Sequence, residues 1–144
     1  MLRISPSNIT NLKENEVFVF GSNLQGNHSG GAAYLAHEKF GAKMGVGIGE
    51  QGQCYAIPTL DYSENKYSAS MAKHDYKIPL DLLKLYVNDF AKYASQNSNK
   101  NFLVTEIGCG IAGFRVDEIA PLFGPCLDIE NVYLPKRFLD HLIA

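Results

Sequence analysis

The sequence of 144 residues predicts a single α/β domain with a largely parallel sheet and helices on both faces. Short apolar runs alternate along the chain with segments of helical periodicity, so that a strand followed by a helix occurs four times. The length suits one ordinary domain, and neither an internal repeat nor a linker divides the chain. One domain over residues 1–144 is therefore expected.

The first predicted strand and helix flank a glycine-rich loop. Residues 17–20 form a continuous apolar run, which is typical of a strand buried on both faces, and Gly21 is predicted to end it. Ser29 is predicted to cap the following helix, and Gly41 to stop it. This pairing of a buried strand with a helix N-terminus is the first local sign of a ligand site.

The middle of the chain predicts a strand, a long loop and an amphipathic helix. Residues 54–57 form the second strand, which Pro58 is predicted to end. Residues 61–77 are polar and irregular, and surface loops of this length are often functional. The tyrosines of this loop either cover a ligand base or anchor the loop to the domain. Apolar residues at helical spacing between 82 and 94 predict the helix.

The C-terminal part predicts two more strands and two more helices. Residues 102–105 form a buried strand that leads into Gly108. A short helix is expected over residues 117–123, a final strand over 131–134 and a terminal helix over 135–142. Because the carboxyl ends of parallel strands meet at one edge of a sheet, ligands of such folds bind there. The glycine-rich loops after the first and third predicted strands are expected at that edge.

Composition narrows the function classes. The net charge of −2 and the pI near 6.1 give no broad electrostatic reason to bind nucleic acid. No apolar run has the length of a membrane span, and the first residues lack the apolar core of a secretory signal, so we expect a cytoplasmic protein with no membrane partner. The cysteines Cys54, Cys109 and Cys126 do not form a disulfide framework or a zinc motif. Neither a metal nor a cofactor is expected.

The first glycine-rich loop has the sequence GSNLQGNHSGGAA, residues 21–33. The exposed amides of a following helix favour an anion, and residues without bulk allow a phosphate to approach. Asn23 offers a donor and an acceptor to a sugar or base. The alternative is a flexible connection with a tight helix–sheet contact. The candidate ligand-binding residues of this loop are Gly21, Ser22, Asn23, Gly30, Gly31 and Ala32.

The second glycine-rich loop follows the third predicted strand and has the sequence GCGIAGF. Successive small residues can arrange their amides as a nest around a phosphate. The ring of Phe114 either packs on an adenine or ribose or belongs to the core. The candidate ligand-binding residues of this loop are Gly108, Cys109, Gly110, Ile111, Ala112, Gly113 and Phe114.

Two other patterns suggest different chemistry. Residues 47–52, GIGEQG, match the dinucleotide fingerprint, but a helix precedes them and a strand follows, the reverse of what the fingerprint requires, so they predict a connection. Cys109 lies ahead of a helix, where a thiolate would be stabilised, and His28 is a candidate base for it. The alternative is that Cys109 is only a small apolar residue in a tight loop.

Three segments together resemble a macrodomain, and most closely a compact macrodomain-like branch of bacterial and phage proteins. They are VFVFGSNLQGNHSGGAA, QGQCYAIPT and FLVTEIGCGIAGF, and the resemblance extends from Val17 to Pro135. It implies a three-layer α/β/α sandwich that binds ADP-ribose or a related nucleotide, free or attached to a macromolecule. Some members of the family also hydrolyse ADP-ribosyl linkages, so an ADP-ribosyl hydrolase is implied as an extension of binding.

The resemblance assigns roles position by position. Asn23 resembles the asparagine that contacts the distal ribose, residues 30–32 resemble the first phosphate loop, and residues 110–114 resemble the second. Where some hydrolytic members carry an aspartate after the first glycine run, this sequence has Ala32 and Ala33. For hydrolysis, Asn23 or His28 is then the candidate to polarise water. The rival hypotheses are a thiol-dependent transferase or hydrolase using Cys109 and a non-catalytic interaction module.

Overall fold

A computed structural model describes residues 3–63 and 76–143, which form a mixed α/β fold with a five-stranded sheet and four helices. This confirms the α/β class. In chain order the elements are β1 (Glu16–Asn23), α1 (Gly31–Lys39), β2 (Gly49–Gln51), β3 (Cys54–Leu60), α2 (Leu80–Ser95), β4 (Asn101–Val104), α3 (Val116–Ile119), a 3-10 segment (Ala120–Asp128), β5 (Val132–Tyr133) and α4 (Lys136–Leu142).

The sheet has the strand order β2-β3-β1-β4-β5. β1 is parallel to both of its neighbours, β3 and β4, and β5 is parallel to β4, whereas the edge strand β2 is antiparallel to β3. The carboxyl ends of β3, β1 and β4 therefore lie side by side at one edge. The loops that follow β1 and β4 leave the sheet from adjacent strands.

Two hydrophobic clusters account for the continuous apolar run of β1. Val17 and Val19 belong to a cluster with buried side chains of α2, α3 and α4, whereas Phe18 and Phe20 belong to a second cluster with those of α1. Successive side chains of a strand point to opposite faces. β1 is thus buried on both faces, as predicted.

Two predicted strand ends were wrong. β1 does not end at Gly21 but continues to Asn23, because β3 also continues and the two strands stay paired through Gly21 with Ile57 and Ser22 with Pro58. Pro58 lies within β3 rather than at its end. β2 pairs with β3 only as far as Ala56, so the missing N–H of Pro58 interrupts no pairing with β2.

Three local predictions were also wrong. Residues 47–52 are not only a connection, since Gly49–Gln51 form β2. Ser29 does not cap α1, because the N-cap position is occupied by Gly30, which has no side chain to accept a hydrogen bond from the helix. The single short helix expected over 117–123 is α3 followed by a 3-10 segment, because Pro121 and Pro125 have no N–H to continue an α-helical ladder.

The long loop is described only at its two ends. Residues 64–75, including Tyr67 and His74, lie outside the described part of the chain. In the part that is described, no helix has the length and apolarity needed to cross a membrane.

Candidate functional site

A cleft of about 490 Å³ opens where β1, β3 and β4 end. Both glycine-rich loops contribute to its walls, so the structure brings together the two segments that the sequence singled out. The predicted residues that line this cleft are Gly21, Ser22, Asn23, Gly30, Gly31, Ala32, Gly108, Gly110, Ile111 and Ala112.

The first wall of the cleft is the N-terminus of α1. The helix begins at Gly31, whose φ of +60° favours glycine, and its first turn contains no acidic residue. The amides of Gly31, Ala32 and Ala33 have no acceptor among the described residues. Unpaired first-turn amides and the helix dipole together attract an anion.

The second wall is the loop after β4, which closes on itself through backbone hydrogen bonds. The amide of Gly113 donates to the carbonyl of Gly110 at 3.0 Å, and the amide of Phe114 donates to that of Gly108 at 2.8 Å. This arrangement leaves the amides of residues 110–112 without an acceptor in the described chain. Successive free amides of this kind can surround an anion.

The two loops meet over the cleft. The Cδ1 atom of Ile111 lies 3.0 Å from the position a Cβ would take on Gly30, and 3.1 Å from that on Gly31. A Cβ on Gly21 would lie 3.3 Å from the amide nitrogen of Gly108. Glycine at these positions therefore lets the loops approach each other and form one site.

The polar side chains at the end of β1 shape the first loop. Asn23 donates through Nδ2 to the carbonyl of Asn27 at 3.0 Å, and its Oδ1 accepts the amide of Asn27 at 2.9 Å. The buried Ser22 hydroxyl donates to the carbonyl of Gly47 at 2.6 Å. Asn23 keeps one N–H and further oxygen lone pairs for a ligand, because an amide can make more hydrogen bonds than these two.

His28 does not face the cleft, and its prediction as a catalytic base was wrong. The side chain is fully buried, its ring lies edge-on to Phe20 at 5.4 Å between centroids, and Nε2 is 3.0 Å from the carbonyl of Val46. A base must reach the proton that it removes. A fully buried ring cannot reach a substrate in the cleft.

Cys109 does not line the cleft, and the environment predicted for its thiol was also wrong. Burial raises the pKa of Cys109, and the negative charge of Glu106 raises it further. The neutral thiol is thereby favoured over the thiolate that a nucleophile requires. This environment argues against the thiol-dependent alternative, which requires a stabilised thiolate.

Gly113 and Phe114 of the second loop do not line the cleft. The Phe114 ring is buried in the larger hydrophobic cluster. The ammonium group of Lys77 lies 4.9 Å from the centre of this ring and donates to the carbonyl of Gly113 at 3.1 Å. For Phe114, the core alternative is therefore correct.

The end of β3 supplies two lining residues that the site prediction omitted, Thr59 and Leu60. Tyr62, one of the tyrosines predicted either to cover a base or to anchor the loop, also lines the cleft. The backbone amide of Tyr62 donates to Gln25 at 2.8 Å, and Gln25 in turn donates to the buried carboxylate of Asp61 at 2.8 Å. The ring of Tyr62 also packs on Tyr76, with 5.1 Å between centroids. The signal that could have indicated Thr59 and Leu60 is their place directly after the second predicted strand, because the carboxyl ends of parallel strands meet at one edge.

A second cavity of about 660 Å³ adjoins the cleft. The two share Ala32, Thr105 and Glu106, and the second extends along residues 4–9 between Phe18 and α4. Glu106 stands at the junction, where Arg137 of α4 donates two hydrogen bonds of 2.7 Å to its carboxylate. These bonds lower the pKa of Glu106 below its usual value, so the carboxylate is ionised at neutral pH.

No cluster of three or more potential metal ligands occurs within residues 3–63 and 76–143. Comparisons with protein-family models, curated proteins and solved structures found no match for this chain. Its function must therefore be argued from the cleft itself.

Proposed function

We propose that the protein is an ADP-ribose-binding domain with the three-layer α/β/α arrangement of a macrodomain. One observation carries this proposal: two sets of unpaired backbone amides, on α1 and on residues 110–112, belong to residues that line the same cleft. A diphosphate presents two adjacent anionic groups, and two sets of donors suit it. The volume of the cleft, about 490 Å³, is in the usual range of small-molecule sites.

The surroundings of the amides suggest how the rest of the ligand would lie. With the diphosphate between the two loops, the distal ribose would lie toward Asn23 and Tyr62, which also line the cleft. The base would enter the second cavity, where Phe18 and Leu35 provide apolar walls. No lysine or arginine lines the cleft within the described chain, so backbone amides would supply the attraction for the phosphates.

We propose binding rather than hydrolysis as the function. Glu106 is the only carboxylate among the described residues that line the cleft, and both of its oxygens accept bonds from Arg137. The hydroxyls of Thr59 and Thr105 donate to backbone carbonyls. A binding module for free ADP-ribose or an ADP-ribosylated macromolecule needs no general base.

Isothermal titration calorimetry with ADP-ribose tests this proposal, with AMP and ribose 5-phosphate as fragment controls. Ile111→Asp is the informative variant, since Ile111 is exposed and reaches over Gly30 and Gly31. A carboxylate there should lower the affinity for ADP-ribose by at least about tenfold, because like charges repel across a binding site. Ile48→Asp is the matched control, since Ile48 is equally exposed and lines neither cavity.

The proposal requires ADP-ribose to bind at one site, more tightly than either fragment. It also requires Ile111→Asp to weaken binding while its melting temperature stays close to that of Ile48→Asp. Equal affinities of the two variants for ADP-ribose would show that the ligand does not bind at the glycine-rich loops.

A further inference from the structure

The carboxylate of Glu106 lies at the junction of the two cavities. Among the residues that the structure describes, only Ala32, Thr105 and Glu106 line both of them, and Glu106 alone among the three is charged. This inference rests on the proposed function. If the diphosphate of a ligand binds at the loops and its base enters the second cavity, the ligand passes this junction. The group that joins phosphate to base in a nucleotide is the proximal ribose.

Arg137 holds this carboxylate in place. Its guanidinium approaches both oxygens at 2.7 Å in a two-point contact, which fixes the carboxylate plane. Glu106 nevertheless remains partly exposed, with a relative side-chain exposure of 40%. Each oxygen keeps a lone pair, and two adjacent acceptors in a fixed plane match the two adjacent hydroxyls of a ribose.

We propose that Glu106, positioned by Arg137, binds the 2′- and 3′-hydroxyls of the proximal ribose and rejects ligands that carry a phosphate there. An ionised carboxylate accepts hydrogen bonds from a diol and repels a 2′-phosphate. The protein would thereby distinguish ADP-ribose from its 2′-phosphorylated form. Nothing else that is charged faces the junction from the described chain except Arg137 and the neighbouring Lys136 of α4, which is engaged by Asp140 at 2.9 Å.

The test compares the affinities of ADP-ribose and 2′-phospho-ADP-ribose for three proteins by calorimetry. The wild-type protein should favour ADP-ribose by at least about tenfold, since the 2′-phosphate would meet a like charge. Glu106→Gln keeps the size of the side chain, removes its charge and releases Arg137 to attract a phosphate, so the preference should fall by at least about tenfold. Asp117→Asn removes an exposed carboxylate paired with Arg115 outside both cavities, and should keep the wild-type preference.

Each outcome decides the question. If ADP-ribose binds but Glu106→Gln keeps the wild-type preference, or if the wild type has none, this inference is wrong and the proposed function stands. If the wild type binds neither compound, the proposed function is wrong and the inference fails with it.

Discussion

His28 is a structural residue of the first loop. Its ring is fully buried, packs against Phe20 and bonds to the carbonyl of Val46. His28→Ala would leave a cavity where the buried ring packs on Phe20, so we expect a loss of about 3 kcal/mol in the free energy of unfolding, measured by urea denaturation. His141→Ala, at an exposed position of α4, should change it by less than about 0.5 kcal/mol. Similar small losses in both variants would contradict the buried role.

Cys109 is expected to react slowly with alkylating agents. Burial raises the pKa of its thiol, so less thiolate is present at neutral pH than for a free thiol. The rate of alkylation by iodoacetamide, followed by mass spectrometry, should therefore be below that of glutathione at neutral pH. It should keep rising beyond the usual thiol pKa of about 8.5. Rapid alkylation at neutral pH would restore the nucleophile hypothesis.

At the residue scale, the sequence predicted which segments form the cleft but not the directions of individual side chains. The sequence singled out loops 21–33 and 108–114, and residues of both line the cleft, because glycine content and position after a strand are local properties. It did not indicate that His28 is buried, and it left two alternatives for Phe114, since side-chain direction depends on what packs against each loop. Neither could it reveal the contact between Glu106 and Arg137, which are 31 positions apart.

The start of α1 requires glycine at position 31, whereas the second glycine-rich loop does not require glycine at position 110. Gly31 has a φ of +60°, whereas Gly110 has no positive φ and open space where a Cβ would lie. We expect Gly31→Ala to destabilise the protein by about 1–2 kcal/mol, because alanine is strained there. Gly110→Ala should be neutral or stabilising by up to about 1 kcal/mol. Thermal unfolding of both variants measures this difference, and equal melting temperatures would contradict the assigned backbone conformation of α1.

The elements themselves were predicted best where the pattern was long or doubly buried. The helical spacing of apolar residues in α2 and the continuous apolar run of β1 identified both elements from the sequence alone. The three-residue strand β2 and the extension of β1 were missed because each exists through pairing with β3. A short polar strand without its partner has no periodicity to recognise.

The whole-molecule arrangement explains why two loops separated by more than seventy residues share a site. β1 lies between β3 and β4 and is parallel to both, so the segments after these strands emerge at the same edge. The alternation of strands and helices was enough to predict this edge as the place for a ligand. Strand order and the second cavity could not be predicted, because both depend on which strands pair and on how residues 4–9 pass beside α4.

The central claim is that backbone amides from both loops bind one diphosphate. A two-dimensional ¹H–¹⁵N NMR titration with ADP-ribose observes these amides directly. We expect their signals to shift together along one saturable curve, whereas the signal of the exposed Leu85 amide on α2 stays unchanged. Unchanged signals for both loops at high ADP-ribose concentration, or a response from one loop alone, would contradict the central claim. The amides to follow are those of Gly31, Ala32, Ala33, Gly110, Ile111 and Ala112.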